Sequence, residues 1–435
     1  MKLFALGLIV LLAPAALFSQ GISYAETGLL AYDNNNYEII GKVGNNFMVY
    51  AADNNKNELV VYDNEMKILR KTNLDFIPDY YPVSLNFILY PDYCLAVFQV
   101  AYENIIYEKI AKFDEDGILK EIKTIDSSVI GQWYNISTSE NKNFILLSRS
   151  LPHLEENKLQ VDHIVLKSNL ELVRKDNYLV PFSPGNDNIG IPSIDNTGNV
   201  LFLLRDVKTD KSDVNLYESP ADGSDLIVKD LELSKYILSR PIIKINNEKG
   251  IYYIISFYKD IKNRNVQGLF SMMLKSDLSD YIKPTFFAFD QKQKEYANDF
   301  VAIQQSYNYY LLNNIILKKD GGFIVTALGQ KVIVFSFNNR NQLFGMNRVN
   351  NYPAVMTLDS QLIFVYYDYI DKKKNEWLNN SSLLTDGTLR LNPLFRGLDK
   401  RCDFFLGKAK QVDNKTMLVP CKKNNIILMS KITFE

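Results

Sequence analysis

This chain of 435 residues contains only two histidines, three cysteines and two tryptophans. A zinc site normally takes four His, Cys or carboxylate ligands, and the polar stretch between His153 and His163 holds no further His or Cys. The same scarcity weakens Ser-His-Asp and Cys-His catalysis, because each needs a histidine base. The sequence therefore predicts no metal site, no cofactor and no catalytic set.

Neither sign of charge is in excess, since 49 Lys and Arg face 50 Asp and Glu. A dedicated nucleic-acid binder would have a clear excess of basic residues, so this class of function is disfavoured. Three cysteines are too few for a disulfide-dense scaffold, and Cys94 opens the apolar run CLAVFQV as a small buried residue would. The hydrophobic core must therefore stabilise the fold without a dense set of disulfides.

Only one long apolar run is present, at residues 3–18, after Lys2 and before the small-x-small site Ser23, Tyr24 and Ala25. This pattern is typical of a secretory signal peptide covering residues 1–25. An anchoring helix is the alternative, although a span needs about 20 residues. Cleavage would remove Lys2 and leave 48 basic against 50 acidic residues, a net charge of −2. We therefore expect a single exported domain over residues 26–435, periplasmic, outer-membrane-associated or extracellular, without a transmembrane span.

Short strands separated by polar turns fill the rest of the chain. Residues 45–74 contain three such strands, and an Asp, Asn or Gly turn between β-runs recurs about every 50 to 60 residues. The turns lie at Asp63, residues 114–117, Asn169, residues 222–223, Asp277, residues 338–339 and residues 386–387. A period of this size filled with four strands predicts an all-β fold, the β-propeller.

The repeat predicts seven complete blades and an eighth unit that begins at Asp403 and lacks one strand. The N-terminal run GLLAYD, residues 28–33, is an unpaired strand that would complete this last blade and leave no open sheet edge. Eight four-stranded blades are therefore expected, with seven as the alternative if one weak unit is a loop insertion.

One segment, near residues 290–312, has helical rather than strand periodicity. Apolar residues recur there at spacings of three and four behind Asp290, a residue type that caps helices. They are Tyr296, Phe300, Ile303, Tyr307 and Tyr310. We expect a short inserted helix that packs on the propeller, with a lid or partner-binding role as the alternative.

These units resemble the broad superfamily of β-propeller repeats that includes the NHL, TolB-like and WD40 types, over essentially all of the mature chain. Neither Trp133 nor Trp377 lies in a Trp-Asp dipeptide, so a true WD40 protein is disfavoured. Residues 309–325, YYLLNNIILKKDGGFIV, look similar to a segment of uncharacterised exported propeller-like proteins of the Bacteroidota. The resemblance implies an exported location and no particular activity.

In a propeller, the loops between blades and the loops between the second and third strands of a blade emerge on one face, here called the loop face. These loops carry aromatic residues and mixed charge, and Tyr and Trp with Arg and Asn are the residue types that anchor protein partners and stack on sugars. Solvated loops that cover the channel mouth are the alternative. The candidate residues are Asp75, Asp79, Tyr80, Tyr81, Trp133, Tyr134, Arg240, Lys262, Arg264, Trp377, Arg396 and Arg401.

The sequence thus favours an exported, non-enzymatic propeller that binds a protein or glycan partner. A glycoside hydrolase or lyase is the second hypothesis, since loop carboxylates such as Asp75 and Asp79 could serve in pairs. A subunit of an envelope assembly is the third.

Cys402 and Cys421 flank two runs joined by a polar turn at residues 411–415. A hairpin folded between residues 411 and 412 would place them opposite each other, within reach of a disulfide in an oxidising compartment. Two reduced thiols are the alternative.

Overall fold

The computed structural model describes residues 20–31, 36–53, 56–77, 84–153, 157–182, 188–207, 212–233, 235–262, 265–279, 281–297, 307–329, 331–349, 353–358, 361–369, 376–383, 387–393 and 402–434. Their strands form eight sheets, and seven of these are each made by one stretch of chain. We number these seven sheets blades 1 to 7 in chain order, and the remaining sheet is the closing sheet. The prediction of an all-β propeller is confirmed.

Two short strands of the closing sheet come first along the chain, and blades 1 to 3 follow them. In each of these blades the strands are antiparallel and adjacent in the order in which they occur. The two strands of the closing sheet are β1 (Gln20–Tyr24) and β2 (Leu30–Ala31). Blade 1 contains β3 (Tyr37–Val43), β4 (Asn46–Asp53), β5 (Lys56–Tyr62) and β6 (Ile68–Asn73), and blade 2 contains β7 (Ser84–Leu89), β8 (Tyr93–Tyr102), β9 (Ile105–Asp114) and β10 (Leu119–Val129). Blade 3 contains β11 (Asn135–Thr138), β12 (Phe144–His153), β13 (Lys158–Lys167) and β14 (Leu172–Pro181).

Blades 4 to 7 repeat this order, except that the first strand of blade 4 is broken into two pieces that both pair with the next strand. Blade 4 contains β15 (Asn188–Ile189), β16 (Ser193–Ile194), β17 (Val200–Val207), β18 (Ser212–Ser219) and β19 (Ile227–Asp230). Blade 5 contains β20 (Tyr236–Asn246), β21 (Ile251–Asp260), β22 (Val266–Lys275) and β23 (Tyr281–Ala288), and blade 6 contains β24 (Leu311–Leu317), β25 (Phe323–Leu328), β26 (Val332–Phe337) and β27 (Leu343–Val349). Blade 7 contains β28 (Ala354–Leu358), β29 (Gln361–Tyr369), β30 (Glu376–Leu383) and β31 (Leu389–Pro393).

The closing sheet joins the two ends of the described chain. It contains β32 (Asp403–Phe404), β33 (Lys410–Gln411), β34 (Thr416–Lys423) and β35 (Ile426–Phe434), and β35 pairs with β34 on one side and with β1 and β2 on the other. The predicted closure by an N-terminal strand is thus confirmed. Most of the pairing, however, comes from β1, which runs from Gln20 opposite Phe434 to Tyr24 opposite Ser430. Cleavage after Ala25, the predicted boundary, would remove this strand from the closing sheet.

Apolar contacts link the sheets into a ring, because the two broad faces of each sheet are covered by its neighbours. Buried clusters join blade 1 to blade 2, each later blade to the next, blade 7 to the closing sheet, and the closing sheet to blade 1. The ring therefore contains seven blades of continuous chain, as the repeat predicted, plus the sheet shared by both ends.

The closing sheet carries a disulfide between Cys402 and Cys421, whose Cα atoms are 5.7 Å apart. The predicted register of the hairpin is wrong, because Phe404 lies opposite Cys421. A 3₁₀ helix at Leu406–Lys408 interrupts the first run, and Gln411 faces Met417 beyond it. The bridge therefore spans a diagonal rather than a directly opposed pair.

The inserted helix begins where the sequence predicted and is shorter than predicted. α1 (Gln291–Tyr296) is capped by Asp290, whose side chain accepts from the backbone N–H of Gln293 in a capping box. Phe300 and Ile303 lie outside the described residues. Tyr307 and Tyr310 are buried in the cluster between blades 5 and 6, which supports the packing role. In the described ranges, no helix has the length and apolar character needed to cross a bilayer.

Candidate functional site

Blade 2 ends on the loop face in a row of exposed apolar side chains. Tyr102 and Val129 lie beside Ile105, which is directly opposite both of them in the sheet. Tyr102 is 63% exposed, Ile105 is 41% exposed and Val129 is 62% exposed. Ile130 and Trp133, in the loop that leads to blade 3, are 51% and 38% exposed. We call these five residues the apolar tip.

A polar cluster lies between blades 2 and 3, and its residues range from the buried Tyr134 to the exposed Lys175. The hydroxyl of Tyr134 donates to Asp126 Oδ2 at 2.6 Å, and Lys175 Nζ lies 3.1 Å from Asp126 Oδ1. Burial opposes ionisation of Asp126, but the hydrogen bonds from Tyr134 and Lys175 keep its pKa below the ordinary value. The guanidinium carbon of Arg149 lies 4.7 Å from the centroid of the Tyr134 ring. These contacts fix the loop that carries Trp133.

Glu108 is the most unusual residue of this region, because its side chain is buried and, within the described part of the chain, neither carboxyl oxygen has a hydrogen-bond partner. It lies opposite Asp126 in the sheet. Burial, and then the charge of Asp126, raises the pKa of Glu108 to about 9. The carboxyl group is therefore protonated at neutral pH.

Blade 3 aligns Ser148, His163 and Asp176 directly opposite one another on three adjacent strands. These are the residue types of a nucleophilic triad. Among the described contacts, however, neither Ser148 Oγ nor either ring nitrogen of His163 has a hydrogen-bond partner. Asp176 Oδ2 instead accepts from Arg174 Nε at 2.7 Å and from Ser219 Oγ at 3.2 Å. The row therefore has no relay that would activate the serine.

His163 is held neutral by its surroundings. Burial lowers the pKa of His163 to about 4, and the rings of Tyr178 and Phe202 pack edge-on against it at 6.1 and 5.6 Å. A neutral imidazole keeps one N–H donor and one acceptor nitrogen. It therefore adds polarity to the wall between blades 3 and 4 without adding charge.

The structure places the predicted loop-face residues unevenly. Trp133 is exposed in the apolar tip, whereas Tyr134 is only 5% exposed and supports the polar cluster instead of facing solvent. Asp75 and Lys262 are exposed on other loops of the ring, whereas Arg240 is exposed within β20 of blade 5. The backbone of Trp377 pairs with Asp368, and its side chain is not described. The remaining candidates, Asp79, Tyr80, Tyr81, Arg264, Arg396 and Arg401, lie outside the described residues.

The buried polar residues were not predicted from the sequence. Ser148 and Arg149 interrupt the apolar strand FILLSRSL, and His163 interrupts VDHIVLK. A polar residue inside a strand that the repeat buries on both faces is the signal that could have found them.

Comparison with known proteins adds little beyond the fold. No protein-family model and no curated protein matches the sequence. A prolyl endopeptidase structure is 9% identical with a TM-score of 0.44, covering 91% of this chain and 55% of its own, so this chain spans about half of that enzyme. The WD40 domain of SCAP from fission yeast is 10% identical with a TM-score of 0.41, covering 95% and 98% of the two chains. A protein of unknown function from Bacteroides caccae is 12% identical with a TM-score of 0.33, covering 69% and 92%. All three scores are low, and the assignment of the propeller fold rests on the sheet topology.

Proposed function

We propose that this protein is an exported, non-enzymatic β-propeller that binds a protein partner through the loop face, with the apolar tip as its anchor. The observation that supports this proposal most directly is the row of Tyr102, Ile105 and Val129. These three large apolar side chains are exposed side by side at the end of one blade. Aromatic and aliphatic side chains grouped in this way are typical of the central part of protein interfaces. Aliphatic side chains favour a protein over a glycan, because sugars stack mainly on aromatic rings.

Two observations support export. The N-terminal apolar run is typical of a signal peptide, and the Cys402–Cys421 disulfide is a bond that persists in oxidising compartments. The support for a binding role over an enzyme is the arrangement of the serine row, in which Asp176 bonds to Arg174 and Ser219.

A matched pair of double variants tests this proposal. Ile105→Asp with Val129→Asp places two charges in the apolar tip, whereas Ile227→Asp with Val228→Asp changes residues of the same types and similar exposure, 46% and 53%, on the outer strand of blade 4. Each protein is incubated with envelope extract of its own host and cross-linked, and the captured proteins are quantified by mass spectrometry.

We expect a partner that the wild type and the blade 4 variant both capture. The tip variant should capture at least about tenfold less of it, because burying an uncompensated charge in an interface is costly. Equal capture by the tip variant and the wild type would overturn the proposal. Matching melting temperatures show that the variants fold.

A further inference from the structure

Three polar side chains lie directly opposite one another across blade 2. Gln99 of β8 is opposite Glu108 of β9, and Glu108 is opposite Asp126 of β10. Residues that are directly opposite in an antiparallel pair have their side chains on the same face of the sheet, with Cβ atoms about 5 Å apart. Gln99 bonds to Tyr134 at the start of blade 3, so this face is the one that packs on blade 3. Glu108 therefore lies in the middle of a polar row within the interface between the two blades.

Both neighbours of Glu108 in this row hold the loop that carries Trp133. The side-chain amide of Gln99 bonds to the backbone of Tyr134, the residue that follows Trp133. Asp126 Oδ2 accepts from the hydroxyl of the same tyrosine at 2.6 Å. Glu108 thus lies between the two side chains that fix Tyr134, and a change in its charge acts on both of them.

The hydrogen-bond donors beside Glu108 are already used. The side-chain N–H groups of Gln99 donate to Tyr134 O at 2.8 Å and to Ser84 Oγ at 2.7 Å, and the Tyr134 hydroxyl donates to Asp126. Glu108 is 1% exposed, and in the part of the chain that the structure describes neither of its carboxyl oxygens has a hydrogen-bond partner. A carboxylate in this position would be shielded from water and would lie opposite a second carboxylate. The folded protein therefore holds Glu108 as the neutral acid.

The charged groups that blade 3 brings to this interface are paired. Arg149 Nε of β12 donates to Asp162 Oδ2 of β13 at 2.8 Å, and Lys175 Nζ of β14 lies 3.1 Å from Asp126 Oδ1. The remaining strand of the blade, β11, has no charged residue. Arg149 also has a buried Nη1 without a partner in the described ranges, but Asp162 already balances its charge. Two cations thus face two carboxylates, and this balance holds only while Glu108 is neutral.

We propose that protonated Glu108 keeps the loop of the apolar tip fixed, and that loss of its proton releases the loop. The proton passes to solvent, and the new carboxylate repels Asp126 and competes for the donors of Gln99 and Tyr134. The bonds from these three residues are the ones that hold Trp133 in place, so water enters the interface and the loop moves. Burial and the charge of Asp126 raise the pKa of Glu108, and the release therefore occurs at alkaline pH. The consequence for partner binding rests on the proposed function, because the loop is part of the apolar tip.

Fluorine NMR of the two tryptophans tests this inference without any partner. The full-length protein is labelled with 5-fluorotryptophan, and Trp377→Phe assigns the two signals. As the pH rises, the Trp133 signal should shift with a midpoint of about 9, the pKa of Glu108. The signal of Trp377, which lies in blade 7, should not shift, because the release is local.

Three variants show which group titrates. Glu108→Gln should reduce the Trp133 shift at least about fivefold, because an amide of the same size does not ionise. Glu103→Gln, which changes an exposed glutamate of the same blade, should keep the full shift. Asp126→Asn should move the midpoint down by about one pH unit, because it removes the carboxylate opposite Glu108. This third variant tests the inference even if Glu108→Gln does not fold.

Three outcomes would overturn the inference: no pH-dependent shift of Trp133, an equal shift in Glu108→Gln, or a midpoint that Asp126→Asn leaves in place. A simultaneous change of the Trp133 and Trp377 signals would overturn it as well, since the charge would then unfold the whole protein. Partner capture below and above the midpoint tests the consequence and should fall with the release of the loop. If no partner is captured at either pH, the proposed function fails while the NMR result stands. Normal capture without a shift of Trp133 overturns the role of Glu108 alone.

Discussion

Gln99 and Tyr134 are joined by two hydrogen bonds that imitate a β-ladder. Gln99 Nε2 donates to Tyr134 O at 2.8 Å, and Tyr134 N donates to Gln99 Oε1 at 2.9 Å. A buried side-chain amide of blade 2 thus satisfies both backbone groups of the residue that leads into blade 3. The same amide nitrogen also donates to Ser84 Oγ at 2.7 Å. This contact holds the loop that carries Trp133, and with it the apolar tip.

Gln99→Leu should lower the free energy of unfolding by about 3 kcal/mol, because it leaves the buried N–H and C=O groups of Tyr134 unpaired. Urea unfolding followed by circular dichroism measures the loss. Gln361→Leu is the matched control, since that glutamine is exposed, and it should change the stability by less than about 0.5 kcal/mol. Similar losses in the two variants would contradict the role given to Gln99.

Glu108 should make the protein less stable as the pH rises. Its folded pKa of about 9 is above the unfolded value, so its stability contribution is complete below about pH 4.5 and is lost progressively between pH 4.5 and 9. The slope is about 1.4 kcal/mol per pH unit for one group. Between pH 6 and 8 the wild type should therefore lose on the order of 3 kcal/mol more than Glu108→Gln, measured by urea unfolding.

The control for this variant is Glu103→Gln, an exposed glutamate of the same blade, which should follow the wild type. Glu218, whose pKa burial and Asp195 raise to about 7, contributes equally to all three proteins. A parallel pH dependence of the wild type and Glu108→Gln would show that Glu108 is ionised in the folded state.

The mature chain should retain Gln20. A protein that begins at Gln20 keeps β1, whereas one that begins at Glu26 exposes the edge of β35 and loses the packing of Ile22 and Tyr24 on the closing sheet. The shorter protein should melt several degrees lower. Ser23→Ala in the longer protein is the control and should melt as the wild type does. Mass spectrometry of the protein from its host should find an N-terminus at or before residue 20, and an N-terminus at residue 26 would oppose this expectation.

The disulfide should stabilise the closing sheet. Cys402 and Cys421 are 19 residues apart, and a loop of this size corresponds to about 3 kcal/mol in the chain-entropy model. The double variant Cys402→Ser with Cys421→Ser should lose about this amount, and a reducing agent should destabilise only the wild type. Cys94 is a free buried thiol. The unreduced, unfolded wild type should therefore titrate with one thiol, and three thiols would contradict the bridge.

The order of the elements was determined by the sequence itself. Alternating apolar residues and Asp, Asn or Gly turns are local signals, and they predicted the strand triplets of every blade, from β4 (Asn46–Asp53) of blade 1 to β35 of the closing sheet. The start of α1 at Asp290 was predicted for the same reason, since a capping residue acts within one turn.

Contacts between distant parts of the chain were decided only by the tertiary structure. The pairing of Gln20 with Phe434 joins the two ends of the described chain, and nothing local to either strand specifies it. The register opposite Cys421 depends on a 3₁₀ helix that shortens the hairpin. The alignment of Ser148 with His163 depends on strand register, and the packing of His163 against Phe202 depends on how one blade lies against the next. A repeat specifies how each blade folds, but neighbouring blades determine which polar side chains are buried together.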